Sequence, residues 1–308
     1  MTGPGISPPL VVAAVLTWND TRITEACLAS VFASDYPNLR VVLVDNGSAE
    51  PCGRRLKERF PEVELIELPE NRGFTGGGNA CLRRGLELGA DYVQLIGNDC
   101  VLAKDAITHL VRELEARPRC AGASPLILNP GGETVQFYWA TIDRDQCAHF
   151  HHDFGPRLDS RDWPTRESEF IPFICMMWRT SVLREIGPLD DSLSVCWDDY
   201  DYCLRVADAG YRLLMATDAR AEHLSGATIG HYSPYTTYYM VRNRLICLFR
   251  YASLSGMLRR GPRIIRSFLR QIRTNGTNWD KQGAMWRGAV DFLRGVRGAG
   301  RPPMLRKG

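Results

Sequence analysis

The feature that most constrains this chain is an alternation of short apolar runs with amphipathic stretches over residues 10–117. Leu10 to Trp18, Arg40 to Asp45, Val63 to Leu68 and Tyr92 to Ile96 are rich in Val, Ile and Leu, as strands buried on both faces must be. Ile23 to Ala33, Cys52 to Phe60, Gly78 to Leu88 and Lys104 to Arg117 carry helical patterns. In the last of these Ile107, Leu110, Val111 and Leu114 share one face, and Pro118 stops it. Parallel strands need helical crossovers, so the alternation specifies a doubly wound α/β sheet. With 308 residues, 44% of them hydrophobic, the chain can bury such a core in one large domain or two closely packed ones.

In sheets of this kind ligands bind beyond the carboxyl ends of the strands. Thr17, Trp18, Asn19 and Asp20 follow the first run, Asp45, Asn46, Gly47 and Ser48 the second, and Asn98 with Asp99 the fourth. Each set alone would serve as an ordinary turn. Together they offer hydrogen-bonding groups for a base and ribose, and an acid for a phosphate-bound cation. The stretch Asn71 to Ala80, NRGFTGGGNA, opens the helix before strand four; its glycines allow close backbone approach, and a helix N-terminus beside Arg72 suits a diphosphate. The first strand-to-helix turn, TWND, contains no glycine, which counts against a dinucleotide-dependent dehydrogenase.

Further along, Trp197 to Arg205 (WDDYDYCLR) places three carboxylates at the start of a predicted helix. Acids are favoured in any first helical turn. Helical rotation sets Asp198 and Asp201 near one face and Asp199 one step toward a neighbouring cleft, so one acid can act while the others hold it. Ala121 to Leu128 reads as another strand, and Asn129 to Phe170 as loops with a short hairpin around Glu133 to Ile142. His149, His151 and His152 on those loops read as packed or solvated rather than metal-bound. Ile171 to Ile186 reads as core packing first and otherwise as a wall of the ligand pocket, and Arg212 to Ala216 as a strand leading to His223.

The tail is different in kind. Residues 250–308 hold 14 Lys and Arg against Asp280 and Asp291, although the whole chain is only +3. Leu258, Ile265, Phe268, Leu269 and Ile272 recur at helical spacing among arginines. Such a helix suits an anionic membrane surface, or packs with its basic face in water. No recognition motif accompanies the charge, so nucleic acid is not expected. MTGPGISPP lacks the pattern of a signal peptide, and the ten cysteines form no CxxC pair. Reduced thiols and a cytoplasmic location, at the inner face of the membrane if the tail docks there, are the expectation.

Taken in order, VVAAVLTWN, LRVVLVDNGS, NRGFTGGGNACLRRGLELGADYVQLIGND, WDDYDYCLR and HLSGATIGHYSPYTTYYMVRNR resemble the family-2 glycosyltransferases, inverting enzymes of the GT-A fold, in the branch that includes bacterial rhamnosyltransferases. The resemblance runs from about residue 10 to residue 250. It implies a GT-A type, Rossmann-like doubly wound mixed sheet with a C-terminal helical extension. Residues 1–125 would bind the nucleotide sugar, residues 126–245 would form the acceptor-binding and catalytic half of the same domain, and residues 246–308 the basic tail.

Residue by residue, the resemblance implies that Thr17 and Asn19 border the nucleotide and that Asp45 contacts its base. Arg72, Gly73 and Asn79 would line the nucleotide and sugar pocket beside Asn98. Asp99 would be the last acid of an Asp-any-Asp motif, binding Mg²⁺ or Mn²⁺ together with His223. Asp198 and Asp199 occupy the family's acidic pair, with Asp199 as general base. Trp197, Tyr239, Arg242 and Asn243 would form the acceptor side or the floor of the site. Two positions depart from the pattern: Gly97 stands where relatives carry Asp or Asn, and Phe173 where they commonly carry glycine.

The implied reaction moves a sugar, rhamnose foremost, from a dTDP or UDP donor to the hydroxyl of a lipid-linked saccharide or a soluble small molecule. A nucleotidyltransferase is one alternative, but it needs a second firm metal carboxylate and a basic triphosphate loop. A non-catalytic protein that holds membrane or nucleic acid through its tail is another, and it has no use for Asp199.

Overall fold

The computed structural model describes residues 7–153, 155–224, 233–275 and 278–303. The first half runs β1 (Val11–Thr17), α1 (Thr21–Phe32), β2 (Leu39–Asp45), α2 (Cys52–Arg59), β3 (Glu64–Glu67), α3 (Gly73–Glu87), β4 (Tyr92–Gly97), β5 (Cys100–Leu102) and α4 (Ala106–Glu115). Then follow β6 (Cys120–Leu128), β7 (Val135–Phe137), β8 (Trp139–Asp143), β9 (Ala148–His152), β10 (Arg166–Ser168), β11 (Cys175–Arg179), α5 (Thr180–Ile186), α6 (Asp198–Asp208) and β12 (Arg212–His223). Three helices close the described chain: α7 (Pro234–Tyr251), α8 (Leu254–Asn275) and α9 (Trp279–Leu293).

The main sheet is mixed, in the order β10-β12-β6-β11-β4-β1-β2-β3, with β5 on β12 and β7 on β6. β3, β2, β1 and β4 are parallel, and β11 enters antiparallel between β4 and β6. β1 is buried along its whole length, as its unbroken apolar run requires. Register brings Thr17 opposite Asp45, and Leu16 opposite Gly97. The polar carboxyl ends of β1, β2 and β4 therefore lie along one edge. β6 runs through residue 125, so the two halves share one sheet and one core.

Several boundaries differ from the sequence expectation. α3 starts at Gly73 rather than Gly78, because the glycine run is itself helical and lies against the sheet. A Cβ on Gly77 would meet Leu16 and Asn46, and one on Gly78 would meet Leu189. The expected hairpin over Glu133 to Ile142 does not form: β7 pairs with β6, and β8 pairs with β9. Its turn lies at Arg144–Cys147, where Asp143 Oδ1 accepts from Gln146 N at 3.0 Å and Cys147 takes φ +46°. Phe173 is buried edge-on between Trp178 and Tyr202. All ten cysteines are free, and Cys27, Cys175 and Cys247 sit wholly in the core. Among the described residues no helix is long and apolar enough to cross a membrane.

Candidate active site

Local geometry first clamps the strand ends to each other. Asn19, in the left-handed region at φ +58°, donates its N–H to Ser48 Oγ at 2.8 Å and accepts from Ala49 N at 2.7 Å. Asp45 accepts from Ser48 N at 3.0 Å and from Gly53 N at 2.8 Å, which shapes the loop into α2. Asn46 reaches across to α3, accepting from Arg72 N at 3.0 Å and donating to the Gly73 carbonyl at 2.9 Å. Gly47, at φ +70°, lies so close to the Glu70 carbonyl carbon that a Cβ would stand 2.2 Å away. Three loops, after β1, β2 and β3, thus form one shelf.

Some residues expected to touch the nucleotide are instead spent on this scaffold. Thr17 is buried, its hydroxyl 2.6 Å from Thr24 Oγ1, and Asn98 donates to the same Thr24 oxygen at 3.0 Å. Asn79 is buried and uses both ends of its amide on the loop before α6, bonding Leu189 O, Leu189 N and Asp191 Oδ1. Polar side chains at buried strand ends are satisfied internally, and these three brace the strand ends in the same way as Asp45 and Asn46. Gly73 takes φ +70° against Ser194, whose oxygen a Cβ would strike at 2.3 Å. Arg72 is exposed at the head of α3, with no carboxylate partner among the described residues. The first N–H groups of α3 are already taken, Gly73 N by Asn71 Oδ1 at 2.8 Å and Thr75 N by Ser194 O at 3.0 Å, so the guanidinium is the group here left to meet a diphosphate.

On the other side of the sheet edge, β12 carries His223 to Asp99, with Nε2 3.4 Å from Oδ2. The pairing follows from the antiparallel register of β5 and β12, which sets His223 opposite Cys100. Gln136 fixes the imidazole. Its amide nitrogen donates to Asn129 Oδ1 and to the His223 carbonyl, both at 3.1 Å, leaving Oε1 to accept from Nδ1–H at 2.5 Å. In the neutral ring Nε2 then turns a lone pair toward a carboxylate oxygen. That arrangement is repulsive unless a second proton or a cation lies between the two atoms. A ring N–H held by an outer amide is also the usual support of a metal-bound histidine. Asp99 and His223 therefore fit two ligands of a divalent cation, with phosphate oxygens and water to complete it. No group of three His, Cys, Asp or Glu able to hold a metal ion occurs among the described residues. Gly97 leaves the third place bare, and a Cβ there would stand 3.0 Å from Asp99 Oδ1.

The acids at α6 are held by strained backbone. Ser194, Cys196 and Trp197 all have positive φ, at +65°, +63° and +67°, and Trp197 is the N-cap. Asn243 keeps this turn in place: its amide donates to Leu193 O and Val195 O at 2.7 Å and to Cys196 O at 2.9 Å. Arg242 donates to Leu193 O at 3.1 Å and to Asn243 Oδ1 at 2.9 Å. Tyr239 hydrogen-bonds Ala299 O, and the Trp197 indole donates to Met240 O. Tyr239, Arg242 and Asn243 are fully buried behind the turn and Trp197 nearly so, and from there they aim α6.

Within α6 the three acids separate by environment. Asp201 is sealed in the core against Arg250 and Tyr251 and anchors the helix to α7. Burial, reinforced by the Asp199 charge, pushes Asp198 well above the usual carboxylate range. Burial also raises Asp199, to about 6, against the lowering effect of its bond from Tyr200 N at 2.8 Å. Asp199 is the less buried of this pair. Cys203, one turn on along the same face, donates to the Ile171 carbonyl at 3.7 Å, and Ile174 O accepts from Gly97 N at 2.9 Å. Those carbonyls are three positions apart, a reach of at most about 11 Å, so the acid turn and the Asp99 turn flank the same short segment.

Sequence reasoning missed Gln136, Ser194 and the clamping role of Asn46. The DNGS turn did signal Asn46, but Gln136 and Ser194 carry no local pattern. The three histidines of β9 pack on aromatic rings: His149 stacks on Phe170 at 4.0 Å, and His152 on Trp139 at 3.9 Å. Burial drives His149 down to about 3, so it is neutral. A cavity of about 570 Å³ lies toward the other end of α6, among Trp139, Arg166, Glu167, Cys203 and Arg212, and none of the expected site residues lines it.

Comparison with known proteins fits this geometry. The family model described as Glycosyltransferase like family 2 matches residues 8–239. An N-acetylglucosaminyl-diphospho-decaprenol L-rhamnosyltransferase of Mycobacterium tuberculosis is 24% identical over 245 residues, 72% of this chain and 78% of that protein. A dTDP-rhamnosyl transferase of Shigella flexneri is 24% identical over 261 residues, 77% of this chain and 79% of its own. Among solved structures, a mannosyltransferase from Pyrobaculum calidifontis in complex with GDP-Man and Mn²⁺ aligns with a TM-score of 0.58 at 17% identity, over 93% of this chain and 88% of that one. GalNAc-T7 with UDP, GalNAc and Mn²⁺ aligns at 0.54 and 14% identity; the match covers 76% of this chain but only about half, 47%, of that one.

Proposed function

The chain belongs to glycosyltransferase family 2, with the GT-A fold, and we propose that it moves a sugar from a nucleotide diphosphate sugar to an acceptor hydroxyl with inversion at the anomeric carbon. The observation that carries this reading is the acid pair at the head of α6, where burial divides the labour. Asp198 is held toward its protonated form, whereas Asp199, at about 6, is ionised at neutral pH yet basic enough to take a proton. A general base poised near the working pH contributes roughly 10²- to 10⁴-fold.

Asp199 accepts the acceptor's hydroxyl proton as that oxygen attacks the anomeric carbon from the face opposite the leaving diphosphate. The shelf made by Asn19, Asp45 and Asn46 receives the nucleoside, and Arg72 faces the diphosphate. Asp99 and His223 would hold a divalent cation, which when bound supplies Lewis-acid stabilisation of the diphosphate oxygens. Having Asp99 as its lone carboxylate at this motif, the chain leans more on Arg72 for charge neutralisation than a two-acid site would. Similarity to two rhamnosyl transferases makes a dTDP or UDP sugar, rhamnose foremost, the donor to test first, and a lipid-linked saccharide the leading acceptor.

The test is a thermal-shift screen over nucleotide diphosphates and sugar nucleotides, with and without Mn²⁺, followed by determination of the product's anomeric configuration. A donor that raises the melting temperature only with Mn²⁺, and a product inverted relative to it, are expected. Retention of configuration would end the general-base role given to Asp199.

A further inference from the structure

α8 and α9 expose what a folded surface normally hides. Leu258 is 74% exposed, and Leu254, Ile265 and Leu269 are likewise open to solvent. At 100° per residue these four fall within about 60° of arc on α8. The face that packs on the core, through Ile264 and Phe268, lies to one side of that stripe. On its other side stand Arg263, Arg266, Arg270 and Arg273, all exposed and without a carboxylate partner among the described residues. α9 repeats the device: Trp279, Trp286 and Leu293 are exposed and fall within about 40° of arc.

We infer that this surface seats on an anionic lipid bilayer, with the leucines and tryptophans entering the interface and the arginines meeting lipid phosphates. Three arguments select that occupant. A second copy of the chain would bring like-charged arginine rows together across a self-complementary contact. A folded protein partner is normally met with a groove or pocket, whereas these are convex stripes with unpaired cations beside them. Exposed Trp with Arg alongside is also the composition that settles at the level of lipid headgroups.

The surface is tied to the catalytic half. Asp143 pairs with Arg260 at 3.1 Å, and Asp145 accepts from Ser253 Oγ at 3.0 Å. Arg244 bridges Cys147 O and Ser267 Oγ. The β8–β9 turn therefore grips α8, while His149 on β9 stands 6.0 Å from the Trp197 ring at the head of α6. A bilayer under α8 holds the acid end of α6 in a fixed relation to lipid-borne acceptors.

The test is flotation of the full chain with vesicles of phosphatidylglycerol and phosphatidylcholine, against pure phosphatidylcholine, at 0.05 and at about 0.5 M salt. Binding to the anionic vesicles alone, weakened at high salt, is expected. Replacing Arg263, Arg266, Arg270 and Arg273 by Gln should lower partition roughly 10²- to 10³-fold. Leu258→Glu with Ile265→Glu should abolish it, with circular dichroism and turnover of a soluble acceptor analogue unchanged. Equal binding to neutral vesicles, no binding, or a leucine-dependent dimer in solution would each overturn the inference. Flotation reads no sugar transfer, so it can fail while the transferase reading stands, and the reverse holds too.

Discussion

Asp199→Asn tests the catalytic reading through two properties that should move in opposite directions. Asn keeps the shape and the oxygen that accepts from Tyr200 N but cannot take a proton, so turnover should fall about 10²- to 10⁴-fold. Stability should rise. A carboxyl held at about 6, against about 3.9 in an unfolded chain, costs the folded state about 3 kcal/mol once both forms are ionised. The sign follows from proton binding: between about pH 4 and 6 the folded state keeps a proton that the unfolded state has released, so stability falls as pH rises through that window. The penalty is complete above about 6 and absent below about 4, and Asn removes it. Because the Asp199 charge also raises Asp198, its loss eases both groups. Chemical denaturation at pH 8 and pH 4, with single-turnover rates on the same samples, measures each effect. A variant less stable than the parent at pH 8, or stabilised equally at both pH values, would refute the burial argument, and undiminished turnover would refute the base.

Asn243→Ala leaves the Val195 and Cys196 carbonyls of the strained turn without this donor, while Leu193 O keeps Arg242 and Val195 N, so a loss of about 2–4 kcal/mol in denaturation is expected. Turnover should fall with it while the donor's dissociation constant stays within about twofold, since the amide touches α6 and not the nucleotide shelf; unchanged turnover would show that the turn holds itself. Gly97→Asp puts a carboxylate beside Asp99 Oδ1, near the 3.0 Å position of its missing Cβ. Titration with Mn²⁺ should then show at least about tenfold tighter binding, together with a lower melting temperature in chelator from the paired negative charges. An unaltered Mn²⁺ affinity would remove Asp99 from the metal.

What could be read from sequence was whatever is local. β1, β2 and β4 announced themselves as unbroken apolar runs, and α4 by Ile107, Leu110, Val111 and Leu114, because a strand or helix face is encoded within a few residues. The acid cluster of α6 was legible for the same reason. What failed was the assignment of partners. Asn79 finds its bonds at Leu189 and Asp191, more than 100 positions away, and Asn243 finds its own at Leu193 to Cys196. No periodicity encodes such pairings, so buried amides that build the frame look in sequence like amides that meet a ligand. The β8–β9 hairpin lies further along than the Glu133 to Ile142 expected, with its turn at Arg144–Cys147, because strand pairing depends on partners outside the local stretch.

That division bears on which reading of the acid helix is tenable. Three non-glycine residues at positive φ within four positions cost of the order of 1–3 kcal/mol each, and the raised carboxyls add to that. Arg242 and Asn243 are buried to hold the turn, and an Arg entirely inside a protein is itself costly unless every N–H finds an acceptor. A protein that only held membrane through α8 would gain nothing from keeping Asp199 poorly solvated and near neutrality. A nucleotidyltransferase would gain from a second acid at position 97, where this chain has glycine. The strain is concentrated on the orientation of one carboxylate, which is the placement that proton removal from an acceptor hydroxyl demands.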